Sequence, residues 1–181
     1  MHRPIALIVA LLAILLCPVA LLCPVAARAA DAPDLDALVQ QLGADDFDAK
    51  ATAVKALGAL GDSHAIVPLK ALNDGSLYTT KEGGKVLIAE ENGDKSATFD
   101  PVTRAALGEV DSETIDRVVV NNRLRGVIAE ALGLLTLFSD KRDERLSAAQ
   151  EALKNPTPEG IPTLKRALER ETDGDVRQAI E

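Results

Sequence analysis

The stretch DAKATAVKALGALGDSHAIVPLKAL, residues 48–72, decides the fold. Ala53, Ala56, Leu57 and Leu60 recur at helical spacing on one face of its first half, and Ile66, Leu69 and Leu72 do so in its second. Between them Gly61 suits the left-handed position that ends a helix. Asp62 or Ser63 can cap the next one, and Pro68 falls in its first turns, where proline is tolerated. Two short amphipathic helices joined so tightly form a helical hairpin. PDLDALVQQLG, residues 33–43, adds a further helical period in front of it.

The unit returns downstream. ERLSAAQEALKNPTPEGIPTLKRAL at 144–168 repeats the small-residue spacing, the Ala-Leu ending and the apolar-Pro-x-Leu second helix, and DVRQAIE at 175–181 opens a third copy. Hairpins that cannot bury their faces alone stack on one another, so the predicted fold is mainly α, a HEAT-like α-solenoid. The chain stops at Glu181, inside the first helix of that third copy. The expectation is an open solenoid end, as in a fragment, a truncated product or part of a split gene. The helix near Asp173 would then lack a neighbour, and the apolar face of 159–170 would be partly exposed.

The two hairpins are separated by sequence of another kind. SLYTT, KVLIAE, SATFD and PVTRAALGEV are short β-prone runs broken by Gly, Asn and Asp, which predicts an antiparallel meander of three or four strands inserted at about 76–110. KEGGK and ENGDK lack the spacing of a phosphate-binding loop and are expected to be its hairpin turns. VIAEALGLLTLF, residues 127–138, is apolar almost all round and predicts a helix buried on most sides. Its rise of about 18 Å is short of the ~30 Å needed to cross a bilayer.

Residues 1–29 have the features of a removable secretory leader: His2 and Arg3, a long apolar core, then Ala27-Arg28-Ala29. Pro18 and Pro24 would interrupt a spanning helix, which favours cleavage over a retained anchor. The leucines before Cys17 and Cys23 argue against lipidation. The positive charge precedes the apolar core, so residues 30–181 are expected outside the cytoplasm, on the periplasmic side of the inner membrane. Cleavage would remove both cysteines, one of the two histidines, Arg3 and Arg28. No acid is lost, so the formal net charge of −8 falls by two to −10. About 150 residues remain, one domain in size, with no cysteine for a disulfide or a thiolate metal site.

This composition excludes several functions. An acidic surface repels nucleic acid and anionic lipid, and one Tyr, three Phe and no Trp leave little to stack on bases or sugars. His64 is the single histidine after the leader, in a helix-start turn, and no nucleophile elbow accompanies it. No cofactor, metal or small-molecule site is indicated, and the chain is expected to be non-catalytic.

The candidate functional residues lie in VVVNNRLRG, residues 118–126. Asn121 or Asn122 suits the cap of the apolar helix, but Arg123 and Arg125 then fall in its first turn. There the helix dipole disfavours each cation by roughly 0.3–1 kcal/mol. A compensating acid is expected, either local (Asp116, Asp111 or Glu109) or supplied by a partner protein that docks on Asn121, Asn122, Arg123 and Arg125.

Taken in order, the leader, the hairpin ending ALGDSHAIVPLKALNDG, the β insertion from SLY to DPVTRAALGEV, and VNNRLRG before an apolar helix resemble one known region. It is the N-terminal extracytoplasmic region of a urea ABC transporter permease, of the branched-chain amino-acid permease class. The likeness runs from about residue 31 to the end, and VNNRLR is its most specific element. Arg104 stands where that resemblance implies a glycine. It further implies a part in urea uptake, with the membrane part of the permease, a periplasmic urea-binding protein and the other transporter subunits as partners. Two alternatives are a freestanding periplasmic HEAT-repeat scaffold and, on fold grounds, a HEAT-like lyase.

Overall fold

A computed structural model of the chain describes residues 34–158 and 160–181. The expected leader lies outside the described residues. The fold is mainly helical, with one small antiparallel sheet. The helices are α1 (Leu35–Gln41), α2 (Phe47–Leu60), α3 (Ile66–Asp74), α4 (Asn122–Leu135), α5 (Arg142–Lys154), α6 (Ile161–Arg170) and α7 (Gly174–Ile180); the strands are β1 (Leu77–Thr80), β2 (Val86–Asn92), β3 (Lys95–Phe99), β4 (Ala106–Asp111) and β5 (Ile115–Arg117). No described helix is long and apolar enough to cross a membrane.

The first hairpin forms as its sequence predicts. Asp46 caps α2, accepting from the Asp48 and Ala49 amides, and Gly61 ends it at φ 62°. Asp62 then caps a 3-10 turn at Ser63–Ala65 that runs directly into α3. Gly61 is fixed twice over, because a Cβ there would also lie 2.5 Å from the Phe138 ring. Ala53, Val54, Leu57, Leu69 and Leu72 are fully buried in the main core, together with Val39 and Leu42 from the α1 segment and Leu124, Ile128 and Leu135 from α4. The α2–α4 approach is close: a Cβ on Gly58 would meet Ala131 Cβ at 3.0 Å.

The sheet has strand order β4-β3-β2-β1-β5, all antiparallel. It therefore extends past the expected end at 110 to a fifth strand, Ile115–Arg117. That strand was hidden because DSETIDR holds a single apolar residue, and it is held by backbone pairing to β1 at one edge. The edge strands β4 and β5 are joined only by a 3-10 turn at Ser112–Thr114. That link reaches at most about 14 Å, whereas four strand spacings of ~4.8 Å would set the edges of a flat sheet ~19 Å apart. The sheet must curl. Tyr78, Leu87, Ala89 and Ile115 cluster on one side of it, while Leu77, Val86 and Ile88 on the other side join the helical core. Arg117 bonds both Tyr78 Oη (2.8 Å) and Glu91 Oε1 (2.8 Å) beside this second cluster.

KEGGK and ENGDK are hairpin turns, as expected, between β1 and β2 and between β2 and β3. Asp100 builds the β3–β4 loop, accepting from the Val102 and Thr103 amides and the Thr103 hydroxyl. The Thr103 amide is the first cause that holds its carboxyl below the usual carboxylate range. The loop closes through Arg104 at φ 61°, the one described non-glycine residue with positive φ. Glycine adopts such a backbone without the steric cost a side chain brings.

One helical expectation is narrowed and one is corrected. Residues 127–138 are buried or partly buried except along one arc: α4 fully buries Leu124, Ile128, Ala131 and Leu135, and Ala129, Glu130 and Gly133 face solvent. Of its remaining apolar residues, Val127 and Leu132 pack partly buried against the core, while Ala129 and Leu134 line a surface groove. The helix α7 does not lack a neighbour. Val176 is fully buried, and α7 packs on α5, where Arg142 bonds Asp173 (3.1 Å) and Asp175 (2.5 Å). Arg145 forks onto Glu171 at 2.7 and 3.2 Å just before it. On α6, the side chains of Ile161 and Leu164 are half or partly exposed, as expected for that face.

Candidate functional site

The turn that carries Asn121, Asn122, Arg123 and Arg125 is assembled from three helices. Asn121 is the cap of α4: its backbone is extended and its Oδ1 accepts from the Leu124 amide at 2.8 Å. Asn122 is the exposed first residue of the helix. Upstream, Lys50 of α2 is buried and donates to the Val119 carbonyl at 3.0 Å, while its ammonium lies 4.9 Å from the centre of the Phe47 ring. Burial lowers the Lys50 pKa, against the opposing pull of Asp45. A bonded carbonyl and an aromatic face are what a buried ammonium requires.

The two arginines find their compensation elsewhere than expected. Arg123 pairs with Asp48, in the first turn of α2, at 3.0 Å; both side chains are about three-quarters exposed, at 77% and 74%. Arg125 donates to the Asn73 carbonyl at 3.3 Å, in the last turn of α3, where free carbonyls carry partial negative charge. The local-acid reading is therefore corrected. Asp116 faces Lys81 instead, at 3.8 Å, and the Asp111 backbone carbonyl serves Thr114. The reason is topological: the fifth strand carries 115–117 along the sheet edge, so the chain reaches α4 beside the helical hairpin.

Around this turn Phe47 and Val119 stand in solvent, 38% and 63% exposed, and both lie beside Lys50. Sequence reasoning missed this pair. Val119 sits in a β-branched run that suggests a buried strand, yet it follows β5 and only Val118 of the run is buried. His64 is exposed, with Nδ1 2.8 Å from Asp62 Oδ1. Among the described residues no group of three or more His, Cys, Asp or Glu is placed to hold a metal.

Residues 49–72, which span nearly all of α2 and α3, match the model of the PBS lyase HEAT-like repeat. Comparison with curated proteins and with solved structures finds no match to the chain.

Proposed function

We propose that the chain is a non-catalytic, exported docking module that serves urea uptake as the extracytoplasmic region of an ABC transporter permease, its hairpins stacked as a HEAT-like α-solenoid. The observation that carries docking is the surface at the start of α4, where exposed Phe47 and Val119 stand with Arg123 and Asn122. Aromatic, aliphatic and arginine side chains gathered in solvent have the composition of an interface core. The urea assignment rests on the order of parts and on VNNRLR. In this reading the partners are the membrane part of the permease, the periplasmic urea-binding protein and the other transporter subunits. Arg123 can exchange Asp48 for a partner's carboxylate at little cost, because exposed pairs are weak. Arg125 ties α4 to α3 and orients the surface.

The test is urea uptake in cells that carry the chain with Arg123→Ala and Arg125→Ala. Uptake is expected to fall several-fold at unchanged chain level, while urea binding by the separate binding protein stays constant and calorimetry of the chain with urea shows no heat. Normal uptake after deletion of the whole chain removes the urea reading. A loss of uptake that merely tracks loss of folded chain makes the arginines structural. The second reading, a freestanding periplasmic scaffold, is favoured by the HEAT-like repeat match, which carries no transporter character. It predicts docking without an uptake phenotype.

A further inference from the structure

A groove of about 660 Å³ runs between α4 and α5. We infer that it is a docking site for a basic amphipathic helix of a partner protein. Its floor is apolar, made by Leu134 and Leu164. Its walls are rows of small residues spaced one helical turn apart, Ala129 and Gly133 on α4 facing Ala148 and Ala152 on α5. Small residues on both walls allow an incoming backbone to lie close to each, the geometry of a third helix laid across two. The α5 wall extends from Asp143 to Asn155, roughly 18 Å, which accommodates about three helical turns.

Charge selects the occupant. Among the described residues, four carboxylates line the groove, Glu130, Asp143, Glu144 and Glu151, and no lysine or arginine does. Their present partners leave a negative balance. Glu130 has the Thr157 hydroxyl at 2.9 Å, and Asp143 has Arg142 at 3.3 Å, an arginine it shares with Asp173 and Asp175. Glu144 takes Ser139 and Lys141, and Glu151 takes Lys154 and Asn155. The Lys141–Glu144 and Lys154–Glu151 pairs are exposed i,i+3 contacts within or beside α5, of the weak kind a docking lysine can replace. A second copy of this acidic chain is the poorer fit. The proposal stands apart from the urea reading, since it concerns a different surface and needs no permease.

The groove can be filled without disturbing the helix that lines it. A Cβ on Gly133 meets nothing within 4 Å, so Gly133→Leu projects into open space. The probe is a labelled 15-residue Leu/Lys peptide designed as an amphipathic helix, followed by fluorescence anisotropy with the whole chain. Binding in the micromolar range that weakens with salt is expected. It should weaken at least tenfold in Gly133→Leu and again in the Glu130→Lys, Glu151→Lys double variant, with the melting temperature of each variant held close to that of the parent. Equal binding by Gly133→Leu, or by a scrambled Leu/Lys peptide of the same composition, overturns the proposal. So does a concentration-dependent dimer that Gly133→Leu abolishes, which would assign the groove to a second copy, or displacement of a small apolar dye by Gly133→Leu with no peptide binding at all.

Discussion

The two hairpins share a pattern and differ in what holds them. In an alignment offset by 96 residues, Ala53 faces Ala149, Leu57 faces Leu153, Ala71 faces Ala167 and Leu72 faces Leu168. The alanines at 53 and 149 are both buried, at 0% and 1% exposure, but Leu57 is fully buried while Leu153 is 68% exposed. The first hairpin lies among α1, α4 and the sheet. The second has a smaller apolar cluster around Leu137, Ala149 and Ala167 and adds directed polar contacts: Arg145 on Glu171, Arg142 on Asp173 and Asp175, and Arg166 and Arg170 on the carbonyls of Ala59 and Gly61 at the end of α2. A repeat pattern specifies a hairpin; its neighbours decide whether the same position becomes core or surface.

The matched leucines break the comparison most directly. Leu57→Ala opens a cavity in a packed core and should cost about 3 kcal/mol of unfolding free energy. Leu153→Ala should change it by less than about 0.5 kcal/mol. Guanidinium unfolding of the two variants measures both. Equal losses would mean that Leu153 is covered in solution, by a partner or a second copy.

Glu171 tests the polar attachment. Its carboxylate is 4% exposed and accepts from Arg145 and from the Thr172 and Asp173 amides. The Arg145 hydrogen bonds are the first cause that holds its pKa below the ordinary carboxylate value, with burial opposing. A group depressed in the folded state adds stability above its unfolded pKa, and that stability is lost as pH falls through the folded one. The second hairpin should therefore loosen on acidification before the first, seen as hydrogen exchange in α7 that accelerates below the ordinary carboxylate range while α2 stays protected. Glu171→Gln keeps the shape and removes the charge. It should cost roughly 2 kcal/mol at neutral pH and flatten the acid dependence. Unchanged exchange in α7 from neutral pH into the acid range would show that apolar packing through Val176 holds the helix instead.

The first hairpin was legible because every level of its sequence agrees: cap, periodicity, terminating glycine and next cap all name one structure. The expectation for α4 missed its exposed arc because an apolar residue on a helix looks the same whether it faces a core or a groove. Ala129, Gly133 and Leu134 reveal their role only beside Ala148 and Leu164. The cap at Asn121 could be read from local rules, whereas the partners of Arg123 and Arg125 are set by three-dimensional return, Asp48 and Asn73 lying far back in the chain. The sheet supplies a control outside both hairpins. Arg104 holds a left-handed conformation that costs a side-chain residue roughly 1–2 kcal/mol. Its exposed contacts to Glu90 and the Phe99 ring return part of that. Arg104→Gly should raise stability by about 1 kcal/mol while leaving exchange in either hairpin unchanged, and a loss of stability would show that those contacts outweigh the backbone strain.

A change of similar size in the second hairpin is the sharpest in its meaning. Thr163 of α6 is fully buried, and its Oγ1 is the buried side-chain oxygen that finds no partner among the described residues. In the alignment it faces Val67 of α3, which packs on the main core. The two side chains have nearly the same shape, so Thr163→Val gives the second hairpin what the first already has. A buried hydroxyl without a hydrogen bond bears its desolvation cost with no return. The substitution should therefore raise stability by about 1 kcal/mol, and the same change made in reverse, Val67→Thr, should lower it by a similar amount. If Thr163→Val instead destabilises, the hydroxyl has a partner in solution, a buried water or a group brought by docking. The polar attachment of the second hairpin would then extend into its core.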